Sequence, residues 1–202
     1  DQGAPEGDAT AAGAALPRVT ETLTRKDLSL TMAEAYQPKP NTDDYRCFVL
    51  DWPYATPTYV TGVGIEPSNL ASAHHVIVYA VQPAAVPTVV ALDQADPGYG
   101  YTCFGGPGVL GRESAMLGIW VPGVGAGDFP IDTGIPVEPG TKIVMQMHYN
   151  TLGYGSSLHG KDEPDQTQAH FKIDASVSKP GALNWIVNPQ WVVVPTTMLI
   201  PK

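Results

Sequence analysis

Glycine and proline interrupt this chain at short intervals, 21 and 20 of them in 202 residues. Glycine costs a helix interior about 1 kcal/mol and proline about 3, so stretches such as "QADPGYGYTCFGGPGVLGRE" (94–113) and "VPGVGAGDFPIDTGIPVEPG" (121–140) exclude long helices. Between the interruptions lie short runs rich in β-branched and aromatic residues. "YRCFVLDW" (45–52), "TYVTGVGIEP" (58–67), "HHVIVYAV" (74–81), "TKIVMQMHYN" (141–150), "AHFKIDASV" (169–177) and "NWIVNPQWVVV" (184–194) read as strands, with "LSLTMAEAYQ" (28–37) as at most an edge strand. No amphipathic helix of ordinary length and no fixed-period repeat is visible. The expectation is an all-β fold, an antiparallel sandwich or jelly roll closed by long Gly/Pro-rich loops.

The length suits one principal domain with a sizeable core. Residues 1–18 open with Ala, Gly, Pro and acid and no apolar period, and read as a flexible linker; the domain is expected over 19–202. The formal net charge is −9, with eleven basic residues scattered singly. Neither a stripe for phosphates nor a polybasic patch for anionic lipid is present, so nucleic acid and membrane surfaces are not expected partners. No apolar run approaches the roughly 20 residues of a membrane-spanning helix, and "DQGAPEGDAT" lacks the regions of a signal peptide.

Cys47 and Cys103 are too far apart for a CxxC motif. Paired, they would close a loop of roughly fifty residues and stabilise the fold by about 4 kcal/mol; unpaired, they would be two buried thiols. A disulfide would put the protein outside the cytoplasm.

The histidines carry the chemistry. Along "IVMQMHYN", Ile143, Met145, Met147 and Tyr149 share one face and read as core, while Val144, Gln146, His148 and Asn150 share the other. His148 can therefore look into a site lined by Gln146. His170 falls beside Lys172 and Asp174 on what reads as a solvated face, and His159 lies in the polar loop "YGSSLHGKDEPD" (154–165). His74 and His75 are adjacent, and successive side chains of a regular strand point to opposite faces. Both reach one ion only where the backbone is irregular or the two rings reach around the strand end. The turn-like "PSNLASA" (67–73) just before them makes that plausible, and a straight strand would defeat it. Three imidazoles from His74, His75 and His148 would suit copper or zinc and leave a coordination position open.

"DDYRCFVLDW", "HHVIVYAV", "YTCFGG" and "GTKIVMQMHYN" occur in an order and approximate spacing that resembles the N-terminal domain of the copper type II, ascorbate-dependent monooxygenases. Peptidylglycine α-hydroxylating monooxygenase and dopamine β-monooxygenase belong to that family. The resemblance spans about residues 25–200. It implies a jelly-roll sandwich, a Cys47–Cys103 disulfide and one electron-supplying copper on His74, His75 and His148. In the family a second copper, which binds oxygen, is held by two histidines and a methionine in a following β-domain. No HxH follows Met198 here, so that half is expected outside this chain. "DQGAPEGD" is similar to the tail of a c-type cytochrome domain, which implies a haem domain upstream; the haem-attaching CxxCH is not in this chain.

The first expected function is a copper redox domain of a monooxygenase-like oxidoreductase. It would take electrons from ascorbate or a haem and pass them on, with Gln146 beside the site, in a periplasmic, extracellular or cell-surface setting. Copper binding without turnover and a metal-free structural or assembly module are the alternatives. Whether the chain is itself an enzyme stays open. Trp52, Trp120, Trp185 and Trp191 read as packing rather than an electron path. "GGPGVLG" lacks the ending of a phosphate loop, and "KDEPD" (161–165) reads as a solvated loop rather than a calcium site.

Overall fold

A computed structural model describes residues 22–109, 111–152 and 163–183. The strands are β1 (Leu28–Thr31), β2 (Asp43–Asp51), β3 (Thr58–Glu66), β4 (Ala73–Val81), β5 (Tyr101–Thr102), β6 (Ser114–Trp120), β7 (Gly127–Asp128), β8 (Thr133–Val137), β9 (Lys142–Asn150), β10 (Gln168–Asp174) and β11 (Lys179–Pro180). They form two sheets packed as an all-β sandwich. One runs β1-β10-β3-β8-β11 with β7 also on β3, the other β5-β2-β9-β4-β6. The pairings are antiparallel except the short β8–β11 ladder, which is parallel. Among the described residues no helix is long and apolar enough to cross a membrane.

Strand alternation builds the core. Ile143, Met145, Met147 and Tyr149 of β9 turn inward and meet Phe48 of β2, Val76 and Val78 of β4, and Val60 and Phe171 of the opposite sheet. Trp52 and Trp120 join this cluster, as packing residues should. The outer face of β9 is buried too. Val144 lies in a second cluster with Cys47, Ile77, Tyr79, Val89, Tyr101 and Cys103. That cover comes from the Gly/Pro-rich segment after β5 and from a helix, α1 (Val86–Ala95), which the sequence does not announce. Val89 is the buried residue of α1, so α1 carries no apolar stripe for periodicity to detect.

β6 and β8 are likewise strands that the sequence does not announce. In β6, Gly118 interrupts the run and a register shift falls between Val78 and Tyr79 of its partner. β8 contains Gly134 and Pro136 within the segment read as loop; Pro136 is exposed and lies opposite Tyr59. β1 is an edge strand, as expected. Residues 1–18, expected as a linker, His159, Trp185, Trp191, Met198 and the "NWIVNPQWVVV" run lie outside the described residues.

Two expectations of solvated polar residues need correction. His170 is buried: its Nδ1 is 2.7 Å from Ser29 Oγ, and its Nε2 lies 3.3 Å from Glu66 Oε1 without hydrogen-bond alignment. On the same face Lys172 and Asp174 are half-buried, and Ser29 and Glu66 of the flanking strands lie against His170, cover that period-2 reasoning does not see. Within "KDEPD", Glu163 and Pro164 are exposed, but Asp165 is fully buried. Asp165 Oδ1 accepts from Ser68 N (2.9 Å), Ser68 Oγ (3.0 Å) and Asn69 N (2.9 Å), and Oδ2 from Tyr149 Oη (2.9 Å) and Thr167 Oγ1 (2.6 Å). Five donors replace the water a buried carboxylate would otherwise lose.

Candidate metal centre

The β4–β9 ladder is irregular at its histidine end. Ala73 pairs with Tyr149, but His75, not His74, pairs with His148. One extra residue therefore sits in β4, and His74 and His75 together oppose His148. A bulge of this kind bends the strand and re-aims a side chain. It lets two consecutive residues serve one point, the irregularity that shared ligation requires.

The turn before β4 holds the bulge in place. Ala73 N donates to Asn69 O at 3.0 Å, and Asn150 N donates to Ser72 O at 2.8 Å. Asn69 N is in turn bound by Asp165. The buried carboxylate thus fixes the corner from which the histidine pair emerges.

The three imidazoles converge. His74 Nδ1 and His148 Nδ1 each lie 3.3 Å from His75 Nδ1, and one nitrogen from each of the three rings lies within 4.8 Å of the others. Two nitrogens bound tetrahedrally to one ion at about 2.0–2.1 Å stand about 3.3 Å apart, so the donor set fits a single small cation. Burial is graded from exposed His74 through half-buried His75 to buried His148, which leaves the His74 side facing solvent. Among the described residues this is the one group of three or more His, Cys, Asp or Glu side chains placed to hold a metal.

Electrostatics keep two of the rings neutral. Burial, then the neighbouring His148 and His74, pushes His75 down to about 4. Burial also lowers His148, against the opposing pull of Asp43. A neutral imidazole offers a lone pair to a cation, whereas imidazolium offers none.

Two residues beside His148 escaped the sequence reading. Asp43 Oδ1 lies 3.0 Å from His148 Nε2. Tyr45, paired with His148 across β2–β9, stacks on its ring with centroids 4.1 Å apart and planes 9° apart. Phe104, 82% exposed, packs edge-on against Tyr45 at 5.0 Å. The period-2 rule does signal them, because Asp43, Tyr45 and Cys47 share one face of β2; what the sequence hides is the register that sets that face against His148.

Cys47 and Cys103 form a disulfide, with Cα atoms 5.8 Å apart. It ties the loop after β5 to β2, and Cys103 N donates to Tyr45 O at 3.2 Å. Gln146 is buried beneath this loop, its Nε2 3.4 Å from Gly106 O and 3.9 Å from Cys103 Sγ. It shares the face of His148, and these contacts go to the disulfide loop. Gly100, at the other end of the same cover, has φ +72°, and a Cβ there would come within 2.7 Å of Cys47 O and the Phe48 ring. No family model matches the chain and no curated protein matches it.

Proposed function

We propose that this domain is a copper-binding redox module of a monooxygenase-like oxidoreductase, with His74, His75 and His148 as ligands of one copper ion. The observation that carries the proposal is the bulge, which sets two adjacent histidines against His148 with nitrogens 3.3 Å apart. The ordered motifs, the Cys47–Cys103 disulfide and the sandwich support the same reading.

Copper bound here would supply a one-electron couple, because three neutral imidazoles accommodate both oxidation states without a thiolate. The chain's own residues hold and orient that couple: the bulge aims His74 and His75, and β9 presents His148. The exposed His74 side gives access to a small reductant such as ascorbate or to a haem domain of the same protein. The electron would pass to a second copper in another β-domain, and hydroxylation itself would belong there. Jelly-roll connectivity and a periplasmic, extracellular or cell-surface location belong to the same proposal, the latter because disulfides persist in oxidising compartments.

Titration of the purified chain with Cu(II), followed by electron paramagnetic resonance and then ascorbate, tests this. The expected result is one equivalent bound, a type II spectrum, and loss of that spectrum on reduction while copper is retained. Full binding by His148→Ala would overturn the ligand assignment. Copper held but not reduced by ascorbate would point to a carrier, and absence of binding to a structural module.

A further inference from the structure

His148 is gripped from a strand that contributes no ligand. β2 runs antiparallel to β9, with Tyr45 opposite His148 and Asp43 opposite Asn150. Asp43 and Tyr45 therefore sit two residues apart on one face, and both reach the same imidazole. Tyr45 lies flat on the ring at 4.1 Å and removes its freedom to tilt. Asp43 Oδ1 meets Nε2 at 3.0 Å and fixes rotation about the ring's own axis. A carboxylate has only lone pairs to offer, so Nε2 carries the proton in this contact. The free lone pair is then on Nδ1, the nitrogen 3.3 Å from His75 Nδ1.

We infer that Asp43 is a positioning residue that selects Nδ1 of His148 as the metal-binding atom and biases the centre toward the oxidised ion, with Tyr45 as the plate that holds the ring in plane. This rests on the copper reading above and deepens it. A hydrogen bond from a ligating histidine to a carboxylate raises the basicity of the ligand nitrogen. The stronger donor and the added negative charge favour Cu(II) over Cu(I), so Asp43 lowers the midpoint potential. A bare three-histidine site would have neither selection nor bias.

The test uses the full chain and four variants: Asp43→Asn, Asp43→Ala, Tyr45→Phe and Tyr45→Leu. Chelator competition gives Cu(II) and Cu(I) affinities separately, potentiometry gives the midpoint, and thermal melts of the metal-free proteins report folding. Asp43→Ala is expected to weaken Cu(II) by about 10–100-fold and Cu(I) less. Each tenfold difference between the two ions raises the midpoint by about 59 mV for a one-electron couple. Asp43→Asn keeps an acceptor for Nε2–H while removing the charge, and should show a smaller loss of Cu(II) with a raised midpoint. Tyr45→Phe should match wild type and Tyr45→Leu should weaken both ions.

A merely structural Asp43 would change the melt and leave the potential alone. Equal Cu(II) affinities and midpoints in wild type and Asp43→Ala would overturn this inference while leaving the copper site standing. Failure of wild type to bind copper would overturn both.

Discussion

Replacing Asp165 with alanine should damage the fold and the histidine site together. The side chain is fully buried and accepts five hydrogen bonds. Its loss removes an acceptor from three buried donors, the Asn69 backbone N–H and the hydroxyls of Tyr149 and Thr167. A buried donor left without a partner costs about 1–3 kcal/mol. The hydroxyls can turn toward other acceptors, so the sum falls at about 3–5 kcal/mol, near the cost of breaking a buried ion pair. For a domain of this size each kcal/mol moves the melting temperature by about 2–4 °C, which puts the expected drop at about 10 °C. Tyr149→Phe removes one of the five donors and leaves the carboxylate the other four, and should cost about 1 kcal/mol. Calorimetry and urea unfolding of both variants read these values, with the urea slope unchanged if only stability is affected. Because Asn69 O receives Ala73 N at the start of the bulge, Asp165→Ala should also weaken copper binding well below its melting temperature. A loss under about 1 kcal/mol would refute the view that this carboxylate anchors the fold. A large loss with unchanged copper affinity would refute its link to the bulge.

Removing the disulfide with Cys47→Ala and Cys103→Ala should cost about 4 kcal/mol by loop entropy, because the cysteines are 56 residues apart; a denaturation midpoint like that of wild type would contradict this. His75 is held neutral in the fold, down to about 4, whereas an unfolded histidine titrates near its ordinary value of about 6.5. The unfolded chain then binds the proton first as pH falls, so the metal-free protein should be at full strength above pH 6.5 and weaken from there toward pH 4. His75→Gln should flatten that decline in melts across the range. Cu(II) at a free concentration one hundred times its dissociation constant should stabilise wild type by about 2.7 kcal/mol, an increment that calorimetry should not find in His148→Ala.

Much of the sandwich was legible because the long strands are runs of β-branched and aromatic residues bounded by Gly, Pro, Asn and Asp. In β9, Ile143, Met145, Met147 and Tyr149 all face the core, as their spacing indicates. α1, β6 and β8 were hidden for different reasons: α1 buries only Val89, Gly118 breaks the run of β6, and Pro136 sits on the exposed side of β8. The site was legible as a set of residues but not as a geometry. Period 2 put His148 and Gln146 on one face and set His74 against His75. The one-residue slip opposite His148 that reconciles the pair comes from pairing, which local pattern does not encode. Asp43 and Tyr45 stayed unseen because a cross-strand register joins them to His148, and Asp165 because three of its five donors come from Ser68 and Asn69, nearly one hundred residues earlier.

On the proposed reading one copper ion binds where the bulge gathers His74, His75 and His148. Anomalous diffraction at the copper edge from crystals of the Cu(II)-loaded chain tests it most directly. One strong peak is expected, bonded to one ring nitrogen from each of the three histidines, with Nδ1 as the atom contributed by His148 and Asp43 still on its Nε2. A peak bonded to His148 through Nε2, a peak at other residues, or none at this cluster would contradict it.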